Sequence, residues 1–215
     1  MSPRKLRLLL VLIGLYLCQL AYLAVVGLPT GMWDLRYTQA EHQLEKKPPF
    51  SEATVDRFRE AARQAEKLIP EDGRLARTYH DLGTLLWIAG RTNEGRVYLH
   101  RSLNVFERVD GRQATWVGIV CERLGEVDLR RGRIAEATER LQRAEGILVR
   151  TLGCLDPIAL RAATMVAVQT RDRDKARLVM ENYRMAQIPP DPLMRLQLEQ
   201  LGGGSAVVQP APLNN

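Results

Sequence analysis

LGTLLWIAGRTNEGRVYL, residues 82–99, and LGEVDLRRGRIAEATERL, residues 124–141, are two copies of one pattern. Leu82-Gly83, Gly90-Arg91, Glu94, Gly95 and Leu99 of the first return as Leu124-Gly125, Gly132-Arg133, Glu136, Ala137 and Leu141 of the second. Every position is displaced by 42 residues. A period of roughly 20 to 50 residues is the mark of stacked supersecondary units. Within each copy the apolar spacing is helical. Leu75, Tyr79, Leu82 and Leu86 line one face, Gly90 breaks the chain at a turn, and Gly95, Leu99, Ser102, Leu103 and Phe106 line a second helix. In the next copy that second stripe is Ile134, Ala137, Leu141, Ala144 and Leu148. Gly83, Gly95 and Ala137 are small where paired helices must approach. A lone hairpin of this kind cannot bury its apolar face, so its neighbours must stack on it.

These residues resemble the tetratricopeptide repeat (TPR) family. The shared pattern is aromatic-x-x-Leu-Gly in the first helix and a small residue opening the second. It is read here as Tyr79-x-x-Leu82-Gly83 with Gly95, and as Cys121-x-x-Leu124-Gly125 with Ala137. The family's usual period is about 34 residues, so the 42-residue spacing resembles the long-helix variety of kinesin light chains and many bacterial TPR proteins. The resemblance implies an all-α, right-handed solenoid over residues 50–188, with repeats at about 74–110, 112–151 and 157–187. The third is degenerate: Ala176 and Met180 stand for the second helix, but there is no Leu-Gly, and the turn at Thr170–Arg173 has no glycine. Phe50–Leu68 reads as an isolated second helix or a cap. Asp128 occupies a position the family gives to an aromatic, which implies looser packing there. Pro189–Pro192 stops one helix and caps a short one at 189–201, before a Gly- and Pro-rich tail at 202–215.

The N-terminal stretch has a different character. Arg4, Lys5 and Arg7 precede Leu8–Leu28, which is 21 residues without a charge, and a bilayer core needs about 20 helical residues. Residues 1–30 are therefore expected to hold a transmembrane anchor at 6–28. Pro29 and Gly31 would end its helix, and Trp33 would lie at the membrane interface. The run is longer than the apolar region of a cleaved signal, and Leu28-Pro29 is a poor cleavage site. The cations place Met1 in the cytoplasm and the repeats outside it, in a bacterium the periplasm. Residues 31–49 then form a linker, either helical or an extended spacer.

The net charge of +6 does not imply nucleic acid, because acids and bases alternate along the helices with no basic, aromatic-lined stripe. No catalytic, cofactor or metal grouping is present in the sequence: His42, His80 and His100 are isolated, and Gly202–Gly204 lacks the strand and Lys-Ser/Thr of a phosphate loop. Cys121 and Cys154 are expected to be buried thiols, with a disulfide as the other reading. The chain is therefore expected to be no enzyme and to bind no small-molecule substrate. Its partners would be proteins, membrane or envelope complex subunits among them, and the bilayer through 6–28. The TPR resemblance implies a partner-binding groove on the first helices, formed by Arg77, His80, Thr84 and Trp87, then Glu122, Glu126 and Arg130, then Arg161. Trp87 reads equally as a binding anchor or as packing against the next repeat.

Overall fold

A computed structural model of the chain describes residues 15, 17–21, 27–44, 52–68 and 71–202. From Leu28 the described residues form nine α-helices: α1 Leu28–Leu44, α2 Glu52–Leu68, α3 Gly73–Ile88, α4 Thr92–Val109, α5 Thr115–Arg130, α6 Ile134–Leu152, α7 Pro157–Thr170, α8 Arg173–Ala186 and α9 Pro192–Gly202. The chain divides into two compact units, 1–98 and 99–215, with the boundary inside α4.

In the first unit, α1 packs on α2 and α2 on α3. Trp33, Tyr37 and Ala40 recur at helical spacing and are buried, as are Val55, Phe58, Ala61, Ala62 and Ala65 on α2. The Tyr37 ring meets Phe58 edge-on at 5.9 Å. This corrects three expectations. Pro29 and Gly31 do not end a helix: α1 runs through both, held by the burial of Trp33, Tyr37 and Ala40 and by its packing on α2, since tertiary packing overrides local propensity. Residues 31–44 are not a linker but the first helix of a hairpin with α2. Trp33 does not lie at an interface. It is buried, stacks on Tyr37 at 4.7 Å, donates its Nε1–H to Thr78 Oγ1 at 3.0 Å and lies under the Arg74 guanidinium.

The register explains why this hairpin belongs with the others. Tyr37 and Ala40 precede Tyr79 and Leu82 by 42 residues, and all four are buried. On α2, Phe58, Ala61, Ala62 and Ala65 precede Leu99, Ser102, Leu103 and Phe106 by 41. The same core positions are filled, mostly with smaller side chains.

Helices α3 and α4 approach closely in the first unit. A Cβ added at Gly95 would sit 2.6 Å from the Gly83 carbonyl oxygen and 2.9 Å from the Trp87 amide nitrogen. Only a hydrogen fits there. Asp72 starts α3 by accepting the Arg74 amide at 2.8 Å, the ordinary way an Asx side chain satisfies an orphan N–H.

In the second unit, α5 packs on α6, α6 on α7, and α7 on α8. Gly125 receives Leu141, whose Cγ would lie 2.7 Å from an added Cβ, and Gly118 faces Leu148. Phe106 stacks on Trp116 at 5.4 Å. Leu160, Ala163, Ala167, Ala176, Val179, Tyr183 and Leu198 form one core, into which α9 brings Leu198. Ile134, expected on the buried stripe of α6, is exposed.

The glycine turns also recur. Gly90 and Gly132 have φ of 83° and 71°, and the following amides, Arg91 and Arg133, donate back to Leu86 O at 2.8 Å and Asp128 O at 3.0 Å. The degenerate third repeat makes the same turn without glycine: Arg171 has φ 54°, and Asp172 N donates to Ala167 O at 3.1 Å. This turn comes 39 residues after Gly132 rather than 42. In that shortened register Leu160, Ala163 and Ala176 succeed Cys121, Leu124 and Ala137.

Among the described residues no helix is long and apolar enough to cross a membrane. The segment expected to do so, 6–28, lies mostly outside them, as do residues 203–215 of the expected tail, 45–49 of the expected linker and 50–51 of the expected cap helix.

Candidate partner-binding faces

The eight residues assigned to a groove fall four in each unit, so each face is described by itself. On α3, Arg77 is exposed, His80 and Thr84 are half-buried, and Trp87 is 7% exposed. That low exposure makes Trp87 a packing residue, against which the start of α4 is set at Gly95. His80 Nδ1 contacts Asp81 Oδ1 at 2.9 Å, while the Tyr37 hydroxyl donates to Asp81 Oδ2. Burial, and then the Asp81 carboxylate, push the Tyr37 phenol far above its ordinary range, so it stays neutral and keeps its proton to donate. Asp81 thus joins α1 to the exposed side of α3, a role the sequence did not signal because an acid on a helix reads as solvated.

On the second unit's first helices, Glu122 and Arg161 occupy equivalent positions of successive hairpins, 39 residues apart. The structure joins them to each other. Glu122 is fully buried, and Arg161 meets it with both arms of its guanidinium, Nε to Oε1 at 2.6 Å and Nη2 to Oε2 at 2.8 Å. Burial pushes the Glu122 carboxyl up, against the opposing pull of Arg161. Glu122 therefore presents nothing to a partner; it fastens α5 to α7. Glu126 is half-buried and accepts from Arg123, and Arg130 is exposed.

Asp128 also departs from expectation. The position expected to pack loosely holds a fully buried carboxylate, 3.1 Å from Arg140 Nε on α6. An ion pair replaces an aromatic contact there. Near it, His100, Leu103, Glu107, Arg112, Cys121, Glu136, Glu139, Arg140 and Arg143 line a cavity of about 310 Å³. Within its lining Arg143 pairs with Glu107, and Arg140 pairs with Asp128 beside it. Cys121 is a buried thiol that burial pushes upward, away from the reactive thiolate. Cys154 is exposed rather than buried, and neither cysteine is bonded. Among the described residues no group of three or more His, Cys, Asp or Glu side chains could hold a metal ion.

Residues 74–148 match the family model described as "Tetratricopeptide repeat". That stretch carries tetratricopeptide repeats. Solved structures agree on the fold. BtubC (BKLC) from P. vanneervenii is 14% identical, with a TM-score of 0.61 over 84% of this chain and 84% of that one. A protein of Podosopora anserina with nearly identical TPR-like repeats of kinesin-light-chain type is 15% identical, with a TM-score of 0.60 over 81% of this chain and 88% of that one. At these identities the likeness concerns the fold alone: an all-helical, TPR-like solenoid. No curated protein matches the chain in sequence.

Proposed function

We propose that this chain is a membrane-anchored scaffold that docks a protein partner through the first-helix faces of its hairpins. The observation that carries the docking role is the repeat fold itself, whose stacked hairpins present first-helix faces for protein contact. Once Glu122, Arg161 and Trp87 are set aside as structural, the exposed cations Arg77 and Arg130 are the groups best placed to meet an acidic partner. Anchoring is supported by the uncharged run Leu8–Leu28 and by the exposure of Leu15, Leu17 and Leu20, apolar surface that lipid would cover. The N-terminal cations favour a cytoplasmic Met1 with the repeats on the other side.

The test is affinity purification from gently solubilised membranes. Arg77→Glu with Arg130→Glu should lose at least about nine-tenths of captured partner, the equivalent of about 1.4 kcal/mol, with circular dichroism unchanged. Undiminished capture would show that these faces are the wrong surface. A reporter active only in the cytoplasm, fused after Asn215, should be silent; activity would reverse the topology. A second reading makes the chain an accessory subunit of an integral membrane complex, favoured by Gly14, Gln19, Ala21 and Ala24 within the span, since small and polar residues promote helix contacts in lipid. Replacing residues 8–28 by an unrelated apolar helix separates the two. A tether keeps its partner, whereas a subunit loses it.

A further inference from the structure

Helix α9 repeats α7 at a displacement of 35 residues. Asp156-Pro157-Ile158 opens α7, and Asp191-Pro192-Leu193 opens α9. The two caps are alike: Asp156 Oδ1 accepts from the Ile158 amide at 2.8 Å and Asp191 Oδ1 from the Leu193 amide at 2.9 Å. Ala163 and Leu198, also 35 apart, are buried in one core. Helix α9 thus stands as the first helix of a further hairpin, and among the described residues no second helix follows it. It therefore continues the candidate face of the second unit. Leu196 takes the position that Arg161 holds on α7 and Glu122 on α5, while Ile119, Ile158 and Leu193 share one position on three successive first helices. Exposure rises along that apolar row: Ile119 is half-buried, Ile158 is 36% exposed and Leu193 65%.

The charges beside the row are paired. Arg161 is bound to Glu122, and Arg123 to Glu126. On α9, Arg195 and Glu199 bond each other and lie about 120° or more around the helix from Leu193, whereas Leu196, Gln197 and Gln200 lie within about 60° of it. An uncharged, apolar occupant covers the row without stranding a charge. A segment of that kind follows α9 in the chain. Residues 203–215 carry no charged side chain, and Val207, Pro210 and Leu213 stand at every third position. Pro210 and Pro212 favour the polyproline II form, which has three residues per turn and rises about 3.1 Å per residue. Val207, Pro210 and Leu213 then share one side about 9 Å apart, which matches the spacing of about 8–10 Å between packed helices. The reach is sufficient as well. Leu193 lies about 14 Å back along α9 from Gly202, and the five residues from Gly202 to Val207 span up to about 17 Å. Gly203 and Gly204 permit the reversal.

We infer that residues 206–213 lie across the first helices of the second unit, Val207 on Leu193, Pro210 on Ile158 and Leu213 on Ile119, so that the chain covers part of its own docking face. A partner that uses this part of the face competes with the segment. The contact forms within one chain and is tested without a partner, so its failure leaves the docking role standing.

The experiment uses the full chain in mild detergent with Cys18→Ala and Cys154→Ser, Cys121 being buried. Cysteine pairs are placed at Leu193→Cys with Val207→Cys, at Ile158→Cys with Pro210→Cys, and, as the control, at Leu178→Cys with Val207→Cys. Leu178 is 56% exposed and adjoins Arg177, whose Nε donates to Gly202 O at 3.1 Å, so a segment without a seat reaches it at least as readily. In a glutathione redox buffer the first two pairs should close a disulfide within one chain at least about tenfold faster than the control, the advantage that about 1.4 kcal/mol of contact confers. Adding Val207→Ser and Leu213→Ser should bring the Ile158–Pro210 pair down to the control rate. Equal rates for all three pairs overturn the inference, as does an unchanged rate in the serine variant. Disulfides that form mainly between chains assign the face to a second copy and overturn it too.

Discussion

At the level of single residues, a close fit to main chain occurs at Gly95, where α4 meets the α3 backbone at Gly83 and Trp87. A methyl group there strikes main chain, which cannot rotate away. Gly95→Ala should therefore lower unfolding stability by about 1–3 kcal/mol despite alanine's better helix propensity. Gly146 is the control: it lies within α6, and nothing lies within 4 Å of its added Cβ. Gly146→Ala should raise stability by about 0.5–1 kcal/mol. Urea titrations of both variants check the pair, and equal effects would refute the packing account. The Glu122–Arg161 pair makes a second test. Glu122→Ala strands a guanidinium whose partner was fully buried, which costs about 3 kcal/mol, the low end for a broken buried pair because Arg161 keeps some water. Glu122→Leu combined with Arg161→Leu should recover most of the loss. The sequence showed these two residues but assigned them to a partner. A charged side chain on a groove position reads the same whether it meets solvent, a ligand or the next hairpin, and only the coordinates distinguish the three.

At the level of elements, the hairpins that open with α3 and α7 begin on aspartate caps, Asp72 and Asp156. Asp72 opens α3, and its hydrogen bond from Arg74 holds its carboxyl below the usual range. Because that pKa is lowered on folding, the cap's charge contributes fully above the unfolded value of about 3.9 and is lost as pH falls through the folded value. Asp72→Ala should cost about 1 kcal/mol at neutral pH, and the gap to the wild type should narrow in thermal melts as pH drops below about 4. The αL turn of the third repeat carries Arg171 where its counterparts carry glycine. An L-residue with a side chain pays about 1–2 kcal/mol in that conformation, so Arg171→Gly should gain about 0.5–1 kcal/mol net of glycine's entropy, read from the chemical midpoint at unchanged slope. These elements also show what could be read beforehand. Gly90 and Gly132 announced two hairpins at a fixed spacing. The third was faint because its first helix is three residues out of register and its turn lacks the glycine. The first hairpin was legible only in its second helix: Trp33 looked like a membrane-edge aromatic, and Ala61, Ala62 and Ala65 fill with methyl groups the positions where α4 places Ser102, Leu103 and Phe106.

At the level of the whole molecule, each hairpin gains its stability from the next, so terminal units, with one neighbour instead of two, are the first to open. The tryptophans are distributed in a way that makes this measurable. The chain has three, and Trp33, Trp87 and Trp116 lie on α1, α3 and α5, one in the opening helix of each of the first three hairpins. Trp33 and Trp87 are buried, and Trp116 is half-buried against Phe106. The protein thus carries a built-in set of fluorophores spaced along its repeats. In variants retaining one indole at a time, the emission of Trp33 should shift to the red at lower denaturant than that of Trp116, so that the colour of the light reports which hairpin has let go.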